Sequence, residues 1–332
     1  MRIKADIHVH PLLNTWLFGK NPSKSGSRPP FFFPAMNYVD IPRAHRSGIG
    51  LLCSVLYVIN LPWQQRIAAV EKLIVKTETA CEHYGGMARV VRTAREIRSA
   101  VDDGVLAILH AVEGGHTIGK NIDNIDRLAS LGVRYITLVH FIHNRIGGAA
   151  FLPFGGKKGL TGYGKQVVRR MYEKGIIADL SHTTEPSFYD AINESSGPVI
   201  ASHAGARMYA LRDRNVSADQ AKAIAASGGV IGVILCPFYL KKWTFSGGIT
   251  ELVRNISYFT ELVGPEHVAI GSDLDGWLWP VRGIGDITGY DRIGDALVSS
   301  GFGMNEIELI MGESFVRMLD RFDTSLSIEN VS

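Results

Sequence analysis

Apolar runs of six to ten residues alternate with segments of helical period along the whole chain. The runs are Ile3–His10, Gly50–Ile59, Val105–Val112, Val133–His140, Ile176–His182, Pro198–His203, Val230–Leu235 and His267–Asp273. Most are near-continuous in Val, Ile, Leu and Ala, the pattern of strands buried on both faces of a parallel sheet. Between and after them lie helical patterns at Pro62–Tyr84, Ala94–Asp102, Ile122–Leu131, Tyr163–Lys174, Ser187–Glu194, Ala218–Ala226, Thr250–Val263, Tyr290–Ser300 and Asn305–Arg321. Gly132, Gly175, Gly228 and Gly264 stand at or near helix ends, as C-terminal caps do. Setting aside a small strand at Ala88–Thr93 and a short helix at Ile41–Ser47, eight βα units remain. They predict an α/β fold, a (β/α)₈ TIM barrel, as one domain over residues 1–332. An open doubly wound sheet would bring a Gly-rich phosphate loop after an early strand, and none is present.

Chemically versatile polar residues gather at the C-terminal edges of these runs. His8 and His10 end the first run, Glu113 follows the third, His140 ends the fourth, and His182, His203 and Asp273 end the fifth, sixth and eighth. In a barrel those edges converge at one mouth. His8 and His10 are two apart, so a strand presents both on one face. Burying this many unpaired polar groups by chance is costly. The pattern predicts a two-metal site, with His8 and His10 on one ion, His182 and His203 on the other, and Glu113 bridging. Imidazole with carboxylate suits Zn²⁺. Two such ions activate a water and polarise a carbonyl. Asp273, left over from the ligand set, can take the water's proton and pass it to a leaving amine.

Other polar residues divide between roles. His140 suits an oxyanion donor or a structural histidine. Arg212 and Arg214 suit a substrate carboxylate or a surface ion pair. His110 is three residues before Glu113 and so faces the other way, into packing. His116 can brace the bridging carboxylate or cap the next helix. His143 belongs to a loop surface, and His45, His83 and His267 read as structural or exposed.

Composition narrows the function classes. Of 332 residues, 46% are hydrophobic and the net charge is only +3 without a basic block, so neither nucleic acid nor a membrane surface is indicated as a partner. Cys53, Cys81 and Cys236 sit singly in apolar segments and read as small buried side chains rather than disulfides or metal ligands. No signal-like or membrane-spanning apolar run occurs, and the expected location is cytoplasmic. The expected partner is a small-molecule substrate, and a homodimer is compatible with the fold. The Pro-, Ser- and Gly-rich loop 14–35, with Phe31, Phe32 and Phe33, is a candidate lining or cover for the substrate pocket.

The chain resembles the membrane (renal) dipeptidase family of the amidohydrolase superfamily over nearly its whole length. The matching segments include Val39–Pro42, Val112–His116, Val133–His140, Gly159–Thr161 with Gly164, Ile177–His182, Pro198–His203, Arg214–Val216 and Gly271–Gly276. The resemblance implies a two-zinc barrel enzyme that hydrolyses dipeptides, often with a D-residue on the C-terminal side. It implies metal ligands at His8, Glu113, His182 and His203, a substrate-contacting His140, a carboxylate-binding Arg214 and a catalytic Asp273. Two departures stand out: His10 replaces the Asp usual in the first-strand HxD pair, and Ser314 replaces an Asn. His10 removes a negative charge near the expected position of a substrate amine. Related substrates follow as an alternative: N-acyl amino acids, other small amides or lactones. A non-catalytic metal-binding protein is the remaining reading, and the spare carboxylate of Asp273 speaks against it.

Overall fold

The structure, a computed structural model, describes residues 3–13, 37–59, 63–150, 156–242, 246–276 and 279–329, with side chains left undescribed at 63–65 and 329. The loop 14–35 lies outside these residues. In chain order the barrel strands are β1 (Ala5–Val9), β2 (Leu51–Tyr57), β4 (Leu106–Glu113), β5 (Val133–Thr137), β6 (Ile177–Asp179), β7 (Ala201–Ala204), β8 (Ile231–Val233) and β9 (Val268–Ile270). All pairings are parallel, β1-β2-β4-β5-β6 in one sheet and β7-β8-β9 in another. The small strand β3 (Ala88–Val91) pairs with Leu106–Leu109 of β4. From His110 onward β5 takes the same edge of β4, so β3 extends the base of the wall without entering the ring.

The ring closes at two seams where the ladder reduces to a single bridge, Asp179 with Ile200 and Val9 with Leu274. The same device reinforces both. At β9–β1, Asp6 accepts from the Ser272 backbone N–H at 2.9 Å and from its hydroxyl. At β6–β7, Asp179 accepts from the Ser202 backbone N–H at 2.9 Å and its hydroxyl at 2.6 Å. Hydrogen bonds to a carboxylate contribute about 1.5–3 kcal/mol each, more than a ladder bond. Burial raises the Asp6 pKa, and the Ser272 bonds only partly offset that.

Helices α1 (Ile41–Arg46), α2 (Trp63–His83), α3 (Ala94–Asp102), α4 (Asn124–Ser130), α5 (Gly162–Glu173), α6 (Glu185–Glu194), α7 (Ala218–Ala226), α8 (Pro237–Leu240), α9 (Ile249–Val263) and α10 (Asp291–Ser299) follow in order. Several start where their caps dictate. Thr93 with Glu96 and Ser217 with Gln220 form reciprocal capping boxes at α3 and α7.

The single C-terminal helix expected over Asn305–Arg321 is instead α11 (Met304–Glu308), a π turn at Leu309–Glu313 and α12 (Ser314–Glu329). Gly312 makes the break, with φ 156°. A Cβ there would lie 2.8 Å from Ala5 Cβ and 3.0 Å from the Ile3 carbonyl oxygen, so only glycine lets this turn press against β1. Ser314 then ties the last helix to β9 by donating to the Val268 carbonyl at 2.7 Å. Cys53, Cys81 and Cys236 are all free and buried. Burial pushes their thiols up, to about 11 for Cys81, so native protein is expected to react slowly with a thiol reagent and unfolded protein at once.

Candidate metal centre

The strand ends bring the predicted side chains to one point, the Glu113 carboxylate. Its Oε1 lies 3.6 Å from His8 Nε2, 3.3 Å from His182 Nε2 and 3.4 Å from His203 Nε2. Its Oε2 lies 3.5 Å from both His10 Nε2 and His140 Nε2. His10 Nε2 is also 3.3 Å from Asp273 Oδ1. Apart from His140, whose side chain is 12% exposed, the histidines and Glu113 are buried.

His8 and His10 share a face as their spacing predicts. His140 stands three residues past the end of β5 instead of ending the strand, and His182 and Asp273 do not end strands either. The latter two stand past the ends of β6 and β9 in left-handed backbone, with φ 67° and 60°. Such conformations cost about 1–3 kcal/mol each in a residue other than glycine. The turn out of the ladder is what aims both side chains across the mouth.

The donor set fits divalent metal. The five imidazole–carboxylate contacts all exceed the ~2.7–2.9 Å of a charge-assisted hydrogen bond. The nitrogens surround shared space instead of bonding the carboxylate directly. His8 Nε2 has no hydrogen-bond partner, and the Nε2 atoms of His182 and His203 face each other at 2.9 Å. Burial holds His182 and His203 well below the usual imidazole pKa and brings His140 down to about 4, leaving neutral rings with lone pairs to offer. Burial pushes the Glu113 carboxyl up, but the surrounding imidazoles, His140 first, outweigh it and hold it well below its ordinary value. His10 shifts the other way. Burial alone would lower it, and the Asp273 hydrogen bond with the Glu113 charge overrides that.

A second layer, which the sequence pattern did not single out, fixes these rings. Ser202 Oγ lies 2.6 Å from Asp179 Oδ2, 2.8 Å from His8 Nδ1 and 2.9 Å from His203 Nδ1. A hydroxyl has one proton and two lone pairs. Its proton goes to the carboxylate, so both ring Nδ1 atoms are the donors to Ser202. That assigns His8 and His203 the tautomer whose Nε2 lone pair faces Glu113. Asp179, although close to His8 and His203, already accepts from Thr137 Oγ1, Ser202 Oγ and the backbone N–H groups of Ser181 and Ser202, so its oxygens are engaged in holding Ser202 beside the two rings. Gly232 and Gly271 hold Ser202 in place, since a Cβ on either would stand within 1.9 Å of the Ser202 carbonyl oxygen. The available sequence signal was the repeated Ser before a site residue, Ser202-His203 and Ser272-Asp273, each opposite an Asp embedded in an apolar strand.

Arg214 is buried beside the centre. Its Nη1 donates to the His203 carbonyl at 2.8 Å, its guanidinium lies 4.3 Å from the Tyr239 ring centroid, and its Nε has no hydrogen-bond partner. Arg212 instead donates to the Phe238 carbonyl and stacks on that ring, away from the Glu113 cluster. His116 neither braces Glu113 nor caps a helix: its Nε2 pairs with the Val58 carbonyl at 2.9 Å. His110 is buried on the outer face of β4, as expected, with burial lowering it to about 4. His143 accepts from the Ala149 N–H within its loop.

Barrel and site together define a metal-dependent hydrolase. Residues 33–329 match the family model "Membrane dipeptidase (Peptidase family M19)", and the chain belongs to that family. A protein described as dipeptidase tcpJ from Claviceps purpurea is 29% identical over 238 residues, 72% of this chain and 56% of that protein. An uncharacterised dipeptidase of Schizosaccharomyces pombe is 30% identical over 253 residues, 75% of this chain and 61% of that one. The chain thus spans less than two thirds of the length of these two relatives. The crystal structure of a metallopeptidase, dipeptidase AC, superposes with a TM-score of 0.87 at 25% identity, covering 97% of this chain and 99% of that one. Among the described residues no helix is long and apolar enough to cross a membrane.

Proposed function

We propose that this protein hydrolyses the peptide bond of dipeptides with two zinc ions, and that the observation carrying this is the convergence of five imidazoles on Glu113 beside Asp273 and Arg214. His8 and His10 would hold one ion, His182 and His203 the other, and Glu113 would serve both. Zinc bound there would make water acidic enough to supply a nucleophile near neutral pH and would polarise the scissile carbonyl. The chain's own groups do the rest. Asp273 accepts the proton of the attacking water and delivers it to the leaving amine. His140, neutral at working pH, donates from Nε2 to the carbonyl oxygen as negative charge develops on it. Arg214, anchored by His203 and Tyr239, offers Nε to the substrate's terminal carboxylate.

The test is protein stripped with chelator, reloaded with zinc, analysed for metal content and assayed for amine release from L-L and L-D dipeptides. A zinc-loaded protein that cleaves none of them ends this reading. One observation favours substrates without a free amine as a second reading. Asp6 and Asp179 are occupied by hydroxyl and backbone donors, and Asp275 is buried and tied to the N–H groups of Tyr38 and Val39. None of these three carboxylates is left for an ammonium. Including N-acyl amino acids in the panel separates the two.

Two variants probe the parts. Arg214→Ala removes charge-assisted bonds of about 1.5–3 kcal/mol. KM should rise roughly 10- to 150-fold for substrates with a free carboxylate and little for their C-terminal amides. Equal effects on both would remove Arg214 from substrate binding. Ser202→Ala strips the acceptor from two ligand rings at once. Loss of such support weakens metal binding about 10- to 100-fold, measured by chelator competition. Zinc affinity equal to the parent's would reduce Ser202 to a seam residue.

A further inference from the structure

A cavity of about 460 Å³ opens directly from His140 and is lined by Tyr57, Ile59, His116, Phe141 and Ile142, with Arg66, Lys120 and Arg145 among its walls. Its charge is one-sided. The residues that line it include no Asp or Glu, and Glu113, 3.5 Å from His140, is enclosed by the imidazoles. This lining is unlike the chain as a whole, where 35 basic residues nearly balance 32 acidic ones. Lys120 and Arg145 are exposed and make no ion pair among the described residues, while Arg66 donates to the His116 carbonyl. Arg214 does not line this cavity and stands instead at His182 and His203. The centre is therefore flanked by two separate cationic places, one buried and one open.

We infer that this cavity receives the acyl half of the substrate and selects a negatively charged one, such as an N-terminal Glu or Asp residue. The apolar wall of Tyr57, Ile59, Phe141 and Ile142 takes the methylenes, and Lys120 and Arg145 face the side-chain carboxylate. A cleft lined with one sign of charge and partly walled by low-dielectric side chains concentrates the opposite charge. The inference rests on the peptidase reading, extends it to a substrate class, and adds no chemical step.

The experiment compares kcat/KM of the zinc-loaded protein for Glu-Ala, Gln-Ala, Lys-Ala and Ala-Ala at low and high salt. Glu against Gln changes charge at nearly constant shape. The expected order is Glu above Gln above Lys, with Glu-Ala favoured over Gln-Ala by about tenfold at low salt and by less at high salt. In the double variant K120Q/R145Q the Glu-to-Gln ratio should fall towards one. A Gln-Ala rate equal to or above that of Glu-Ala, or a ratio unchanged in the double variant, overturns the inference while leaving the peptidase reading intact. Cleavage of no member, Ala-Ala included, overturns both.

Discussion

Glu113→Gln is expected to lose most bound zinc and nearly all hydrolysis. The isosteric amide keeps the shape but removes the one carboxylate that all five imidazoles surround. Taking the charged partner out of a buried ionic set costs about 3–5 kcal/mol, which corresponds to roughly a 10²- to 10⁴-fold weaker hold on metal. Both ions should be affected together, because the Glu113 carboxylate lies 3.3–3.6 Å from the nitrogens of both proposed ligand pairs. Elemental analysis after gel filtration decides the matter, since about two zinc ions retained per chain would disprove the bridging assignment. The metal-free variant should remain folded. Glu113 lies at the end of β4, whose ladder to β2 and β5 is made by backbone groups that the substitution leaves alone.

Asp273→Asn separates chemistry from metal binding. Removing a positioned proton acceptor slows turnover by about 10²- to 10⁴-fold, whereas zinc content should match the parent because Asp273 is outside the proposed ligand set. The substitution is clean for a conformational reason. Asp273 sits at φ 60°, and Asn is among the few residues other than glycine that tolerate that region. The N–H of this residue, which donates to the His8 carbonyl at 2.9 Å, is retained. A kcat within tenfold of the parent would deny Asp273 the proton-transfer role. Loss of zinc with normal residual turnover per ion would instead make it a ligand.

Much of the barrel is legible in the chain. Continuous apolar runs followed by helical period locate all eight barrel strands, because a strand covered on both faces admits little polarity outside its ends. The same logic locates the ligands. A His or Glu at the edge of such a run is expensive unless something partners it, and six of them on five runs can partner one another only at a shared mouth. The exact strand ends were not legible. The second-half strands are short, β6 being Ile177–Asp179 and β9 Val268–Ile270, and the apolar pattern continues past the last ladder bond. Nothing local in Leu180–His182 or Gly271–Asp273 announces a left-handed turn.

By itself, then, the sequence determined which elements form and which side chains reach the mouth, since periodicity and the cost of buried polar groups are properties of the chain read in order. Tertiary structure decided what depends on separation along the chain: the Asp–Ser pairs that close both seams, the single hydroxyl of Ser202 setting two rings 194 and 1 residues away, the break at Gly312 against β1, and the acid-free cavity beside His140. Hydrogen bonding and close packing act over a few ångströms of space, and no spacing rule along the chain encodes which distant residues will come that near.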